Sequence, residues 1–159
     1  MPYMKPSNHK LLTAFVVLAL SAPSICAKTY TLSSPDKCIN VTLDNTDGIL
    51  TYSVDRNGKL LVAPSQLDLD INGGPENITV TKHNLKRDIT ETIDAPLYRQ
   101  KNFKVTYNQL DMKLNGDRGI TFRAYDDGVA YRFYTTSKKD ELIINDETIQ
   151  ISLPEDLIL

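Results

Sequence analysis

Few residues in this chain have the type and spacing that chemistry needs. Asp68-x-Asp70-x-Asn72-Gly73 places three oxygen donors at alternate positions before a glycine, as in the opening of a helix-loop-helix calcium loop. The twelfth position, which must supply a bidentate glutamate, is Thr79. Leu67, Leu69 and Ile71 also alternate with the aspartates as they would along a strand. The motif therefore reads as a sheet edge with carboxylates facing water and a glycine turn after it. Asp126 and Asp127 are the other tempting pair. Glycoside hydrolysis needs two carboxyl groups on either side of a scissile bond, and neighbours on one loop seldom reach that arrangement. They are expected to cap the turn or to pair with nearby arginines.

Nucleophilic and metal chemistry are poorly supplied. His83 is the single histidine after His9, so zinc sites built on paired histidines are excluded once an N-terminal leader is removed. It falls in a charged stretch, residues 82 to 102, expected to be a solvated strand pair or a long connection. Cys38 begins an alternating segment and is expected to be a small buried hydrophobe. Neither phosphate-cradling nor dinucleotide-binding glycine motifs occur. Asn40-Val-Thr42 and Asn77-Ile-Thr79 match glycosylation sequons, which matter only in a eukaryotic source. No catalytic, cofactor-binding or metal-ligating residue is assigned.

The elements that position these residues read as strands. Ile39, Val41 and Leu43 alternate, Asp47-Gly48 turns, Leu50, Tyr52 and Val54 alternate, and Asn57-Gly58 turns again. Leu60 and Val62, then Leu67, Leu69 and Ile71, continue to Asn72-Gly73-Gly74; Val105 and Tyr107, then Leu110, Met112 and Leu114, lead to Asn115-Gly116. Asn-Gly and Asp-Gly accept the positive φ that two-residue hairpin turns demand. Period-two alternation between such turns is the pattern of a half-buried antiparallel sheet. No segment keeps a helical period over three turns. The expected fold is all-β, an antiparallel β-sandwich.

One hairpin is dense in charge and aromatic side chains: Phe122-Arg-Ala-Tyr-Asp-Asp-Gly-Val-Ala-Tyr-Arg132. A two-residue turn at Asp127-Gly128 would face Arg123 with Arg132, and opposed like charges destabilise a sheet. A four-residue loop from Tyr125 to Gly128 instead pairs Arg123 with Ala130, Ala124 with Val129 and Phe122 with Tyr131. The longer loop is expected.

The N-terminus speaks to compartment. Lys5 and Lys10 precede the apolar run Leu11 to Leu20, and Ser21, Ala22, Pro23 and Ser24 follow. Ten helical residues rise about 15 Å, half a bilayer core. The pattern is that of a secretory signal peptide, residues 1–27, leaving one domain over 28–159 in an exported protein, periplasmic or secreted. Lipidation at Cys26 is poorly supported by Pro23, Ser24 and Ile25. Loss of two lysines moves the formal charge from −2 to −4, poor footing for nucleic acid. No second segment is long enough to span a membrane. Ile149 and Ile151 alternate, Pro154 interrupts, and Leu157-Ile158-Leu159 is apolar. Domains usually end in polar residues, so the chain is expected to continue in its natural context.

Three stretches carry a family resemblance. Ser34-Pro35-Asp36 leads into Ile39-Asn-Val-Thr-Leu43, Leu50-Thr-Tyr-Ser-Val54 precedes Asn57-Gly-Lys-Leu-Leu-Val62, and the hairpin Phe122, Arg123, Tyr125, Asp126, Asp127, Gly128, Tyr131 and Arg132 follows. Together they resemble the N-terminal domain of glycoside hydrolase family 97, over residues 29 to 151. The resemblance implies a galactose-mutarotase-like supersandwich, incomplete in this chain. It implies exported bacterial α-glucosidases and α-galactosidases as relatives, with a (β/α)₈ barrel in cis that holds the catalytic carboxylates and most ligands of a calcium ion. None of those residues falls in this chain. Its implied role is to brace the barrel and shape the sugar pocket. An alternative is a free-standing carbohydrate-binding or interaction module that takes an oligo- or polysaccharide on Tyr125, Tyr131 and Tyr134. A third is an exported assembly protein that lends a strand to a partner.

Overall fold

The computed structural model describes residues 27–94 and 102–154. The leader expected at 1–27 lies, up to residue 26, outside the described residues, as does the apolar segment 157–159. Nine strands run in chain order: β1 (Lys28–Ser33), β2 (Ile39–Thr46), β3 (Ile49–Arg56), β4 (Lys59–Ile71), β5 (Val80–Asp94), β6 (Asn102–Leu114), β7 (Arg118–Ala124), β8 (Val129–Thr135) and β9 (Ile144–Ile149). They form two antiparallel sheets, β1-β2-β3-β4-β9 and β5-β6-β7-β8. The described residues contain no helix long and apolar enough to cross a membrane.

The expected turns are where the chain reverses. Asp47 and Gly48 (φ 52° and 81°), Asn57 and Gly58 (53° and 79°), and Asn72 and Gly73 (55° and 64°) all take left-handed conformations. The first two match the twist of the hairpin strands they join, whereas the third leads from β4 toward β5 in the other sheet; between β6 and β7 the left-handed pair is Gly116 and Asp117, not the expected Asn115 and Gly116. One inward row per strand fills the core: Ile39, Val41 and Leu43; Leu50, Tyr52 and Val54; Leu110, Met112 and Leu114; and Ile120, Phe122 and Ala124. Each large apolar side chain so buried contributes about 1.5–3 kcal/mol.

Three expectations need correction, and of the two readings of the stretch 82–102 the solvated strand pair is the one found over its described part: β5, mostly exposed, runs through Asp94 and pairs with β6, with His83 exposed on it and edge-on to Tyr30 at 5.0 Å. Cys38 is half-buried and precedes β2 rather than joining its core row. Leu67–Ile71 is not a free edge, because β9 pairs with it. Asp68 is turned from water into an ion pair with Arg118, whose side chain is 2% exposed. Asp68 therefore does not fit a cation, and its neighbour Asp70 already accepts from Gly74 N–H and Asn145 Nδ2.

Alternation along β6 changes phase in mid-strand. Tyr107, Asn108, Gln109 and Leu110 are all buried in succession. A bulge between Lys86 and Ile89 on β5 accompanies the change, with Asp88 at φ 52°. Asn108 holds it: its Oδ1 accepts from Asp88 N–H at 2.7 Å, and its Nδ2 donates to Ser33 O at 2.7 Å. A single amide thus ties the bulge to β1 in the opposite sheet.

The two sheets are unequal in width. Tyr52 on β3 stands 5.8 Å from Tyr131 on β8, and β8 is the last strand of its sheet. β4 and β9 extend further. Ile149 lies opposite fully buried Leu67 and so shares its face, yet Ile149 is 52% exposed. A cleft of about 320 Å³ lined by Tyr52, Val54, Leu61, Val62, Val129 and Ile151 opens on this side.

Candidate functional site

The dense hairpin is β7 and β8 with the loop between them. Its register is the expected one: Phe122 opposite Tyr131, Arg123 opposite Ala130, and Ala124 opposite Val129. Tyr125 N–H donates to Gly128 O at 2.8 Å and closes the four-residue loop. Gly128 is not left-handed, in keeping with a loop longer than a two-residue turn.

The hairpin's two faces do different work. Phe122 is fully buried and meets Tyr131 at 5.3 Å and Tyr52 at 5.9 Å, joining the sheets by an aromatic cluster. Arg123 faces outward. Its guanidinium stacks on the Tyr107 ring at 4.3 Å, donates from Nε to Gln109 Oε1 at 2.8 Å, and pairs with Glu91 at 3.6 Å. Tyr107 OH in turn donates to Glu91 Oε1 at 2.5 Å, and Tyr125 packs on the same ring at 5.2 Å. Tyr107 is 1% exposed on an outer sheet face, an unusual place for a buried ring. Burial first, then the hydrogen bond to Glu91, pushes its phenol up to about 12.

Asp111 continues this network. It accepts from Gln109 Nε2, from Thr121 Oγ1 at 2.8 Å and pairs with Lys86 at 3.2 Å. Burial raises its pKa, but those three donors outweigh it, so the carboxyl sits below its ordinary range. None of these partners was legible from spacing, since Lys86, Glu91, Gln109 and Asp111 come from other strands.

The two loop aspartates part company. Asp126 Oδ1 accepts from Asp36 N–H at 2.9 Å, fastening the hairpin loop to the turn before β2. Its bond is with the backbone of a distant turn, not the expected capping of its own turn or pairing with nearby arginines. Asp36 accepts from Ser34 Oγ and, at 2.9 Å, from Cys38 N–H. The Ser34 hydroxyl, then the Cys38 amide, hold that carboxyl down at about 2. Asp127 lines the apolar cleft beside Val129 and Tyr131. Arg132 is exposed and, with Thr121, Arg123, Tyr125, Ala130 and Tyr131, lines a shallow cleft of about 180 Å³. Among the described residues no three His, Cys, Asp or Glu side chains gather as a metal site would require.

Comparison with known proteins places this geometry. Residues 32–158 match the family described as Glycosyl-hydrolase 97 N-terminal. A retaining alpha-galactosidase of Bacteroides thetaiotaomicron is 32% identical over 160 residues, taking in 97% of this chain and 23% of that protein. A probable retaining alpha-galactosidase of Streptomyces bingchenggensis is 28% identical over 158 residues, 92% of this chain and 25% of its own length. Among solved structures, a beta-arabinopyranosidase shares the fold with a TM-score of 0.70 at 23% identity, covering 79% of this chain and 21% of the other. A Glycoside Hydrolase Family 97 enzyme from Pseudoalteromonas sp. strain K8, in complex with acarbose, shares it at 0.67 and 18% identity, over 79% and 20%. The chain thus spans about a quarter of the curated relatives it matches.

Proposed function

Because the chain belongs to the glycosyl-hydrolase 97 N-terminal family, we propose that it is the non-catalytic β-sandwich portion of an exported glycoside hydrolase. In this reading a catalytic (β/α)₈ barrel in cis carries the catalytic carboxylates and the calcium ion, and acts on α-galactosides or α-glucosides. The sandwich braces the barrel and shapes one wall of its sugar pocket.

The uneven edge of the sandwich carries this reading. Ile149, Ile151 and Leu61 are 52%, 64% and 41% exposed, although Ile149 shares a face with core residues. Apolar side chains on a core face mark a surface that further polypeptide covers. The relatives, four times as long, have polypeptide to supply.

The mass of the mature product in its native cell tests the proposal. A polypeptide several times longer than this chain, secreted and beginning near Lys28, supports it. A mature product of residues 28–159 alone would overturn the in-cis brace and make binding or assembly by a free-standing module the leading reading.

A further inference from the structure

β5 and β6 outrun their sheet. β7 pairs with β6 only as far as Asn108 opposite Ala124, whereas, among the described residues, Ile89–Asp94 and Asn102–Tyr107 go on pairing only with each other. The result is a two-stranded ribbon that leaves the sandwich just past the bulge at Asp88. Its cross-strand pairs sort by chemistry. Ile89 with Tyr107, Glu91 with Val105, and Ile93 with Phe103 occupy one face; Thr90 with Thr106, Thr92 with Lys104, and Asp94 with Asn102 occupy the other. The second face has no apolar side chain. The first has five of six, and its one acid, Glu91, is turned onto Tyr107 OH and Arg123.

A ribbon meant for water on both sides has no use for such a division. Two strands by themselves are marginally stable and need a third layer against an apolar face. Ile93 at the outer end of that face is 47% exposed. At the inner end, buried Tyr107 is clamped by Arg123 and Tyr125, which ties the base of the ribbon to β7 and the loop after it.

We infer that the apolar face of this ribbon, Ile89, Ile93 and Val105 above Tyr107, docks on the catalytic domain that follows in cis. The inference rests on the brace reading above, and it names the contact. The catalytic domain is the favoured occupant because three quarters of the relatives' length lies outside the matched part.

The test uses this full chain alone and a chimera in which it replaces the matched first quarter of the Bacteroides thetaiotaomicron relative. Ile93→Asp is expected to leave the melting point of the isolated chain within about 1 °C, and to lower that of the chimera by about 3 °C or more. Thr92→Asp, on the polar face, is expected to change neither. An unchanged chimera carrying Ile93→Asp would sink the ribbon contact; if Ile149→Asp with Ile151→Asp still lowered its melting point, the brace reading would stand without it. An equal loss in the isolated chain would also overturn the inference, by making Ile93 part of the chain's own stability. A parent chimera whose two parts melt independently would remove the brace reading itself. Concentration-dependent dimers of the isolated chain that Ile93→Asp abolishes would assign the face to a second copy and overturn the inference.

Discussion

Arg118 on β7 and Asp68 on β4 meet across the two sheets at 2.7 Å. The same guanidinium donates to Leu69 O at 2.8 Å, Pro75 O at 2.6 Å and Asn115 O at 3.2 Å. A buried cation is tolerated only when its donors are matched, and this one spends them on one carboxylate and three carbonyls. The residue that looked like the first ligand of a calcium loop is an anchor for a buried arginine.

Removing that arginine strands its acceptors. Arg118→Ala is expected to destabilise the chain by about 3–5 kcal/mol, as loss of one partner in buried ion pairs does. Asp68→Asn keeps a hydrogen-bond acceptor, and Asp68 is a quarter exposed, so its cost should be smaller. Urea denaturation of both variants checks the order.

The Asn108 amide makes two bonds that no apolar side chain can replace. Asn108→Ala should cost about 1–3 kcal/mol by leaving the Asp88 amide and the Ser33 carbonyl without their partner. Hydrogen exchange should show faster loss of protection at Asp88 than at the β3–β4 pair.

Gly119 and Tyr134 are a coupled pair. They lie opposite each other, and a Cβ on Gly119 would come within 2.2 Å of the Tyr134 ring. Tyr134 OH also donates to Met112 O at 3.2 Å. Gly119→Ala should evict the ring and cost about 1–3 kcal/mol. In Tyr134→Ala the same change should be nearly silent, so a double-mutant cycle should return a coupling of most of that cost.

Tyr107 predicts a loss of stability at alkaline pH. Its phenol ionises near 10 when unfolded and at about 12 when folded. A raised folded pKa stabilises the fold in full below pH 10, and that contribution fades as pH rises through 12. Tyr107→Phe should flatten stability over pH 10–12 and remove a tyrosinate absorbance phase near pH 12. An unchanged alkaline profile in that variant would refute the assignment.

The amino-acid sequence by itself determined what is local. Alternation of Ile39, Val41 and Leu43, or of Leu110, Met112 and Leu114, fixed inward rows because a strand's side chains alternate with period two. Left-handed Asp-Gly and Asn-Gly pairs fixed the turns, and the cost of facing two arginines fixed the hairpin register. Tertiary structure alone decided which distant groups meet. The Asp68–Arg118 pair spans fifty residues and the Asp36–Asp126 contact ninety; neither has a spacing that local sequence can encode. Cys38 was misread for the same reason: burial depends on what packs opposite, and that belongs to another strand. The charged residues of β5 look like loop composition, yet Lys86 and Glu91 are partnered from β6 and β7. Long-range pairing turned a solvated sequence into a strand and set its apolar residues on one face of a ribbon.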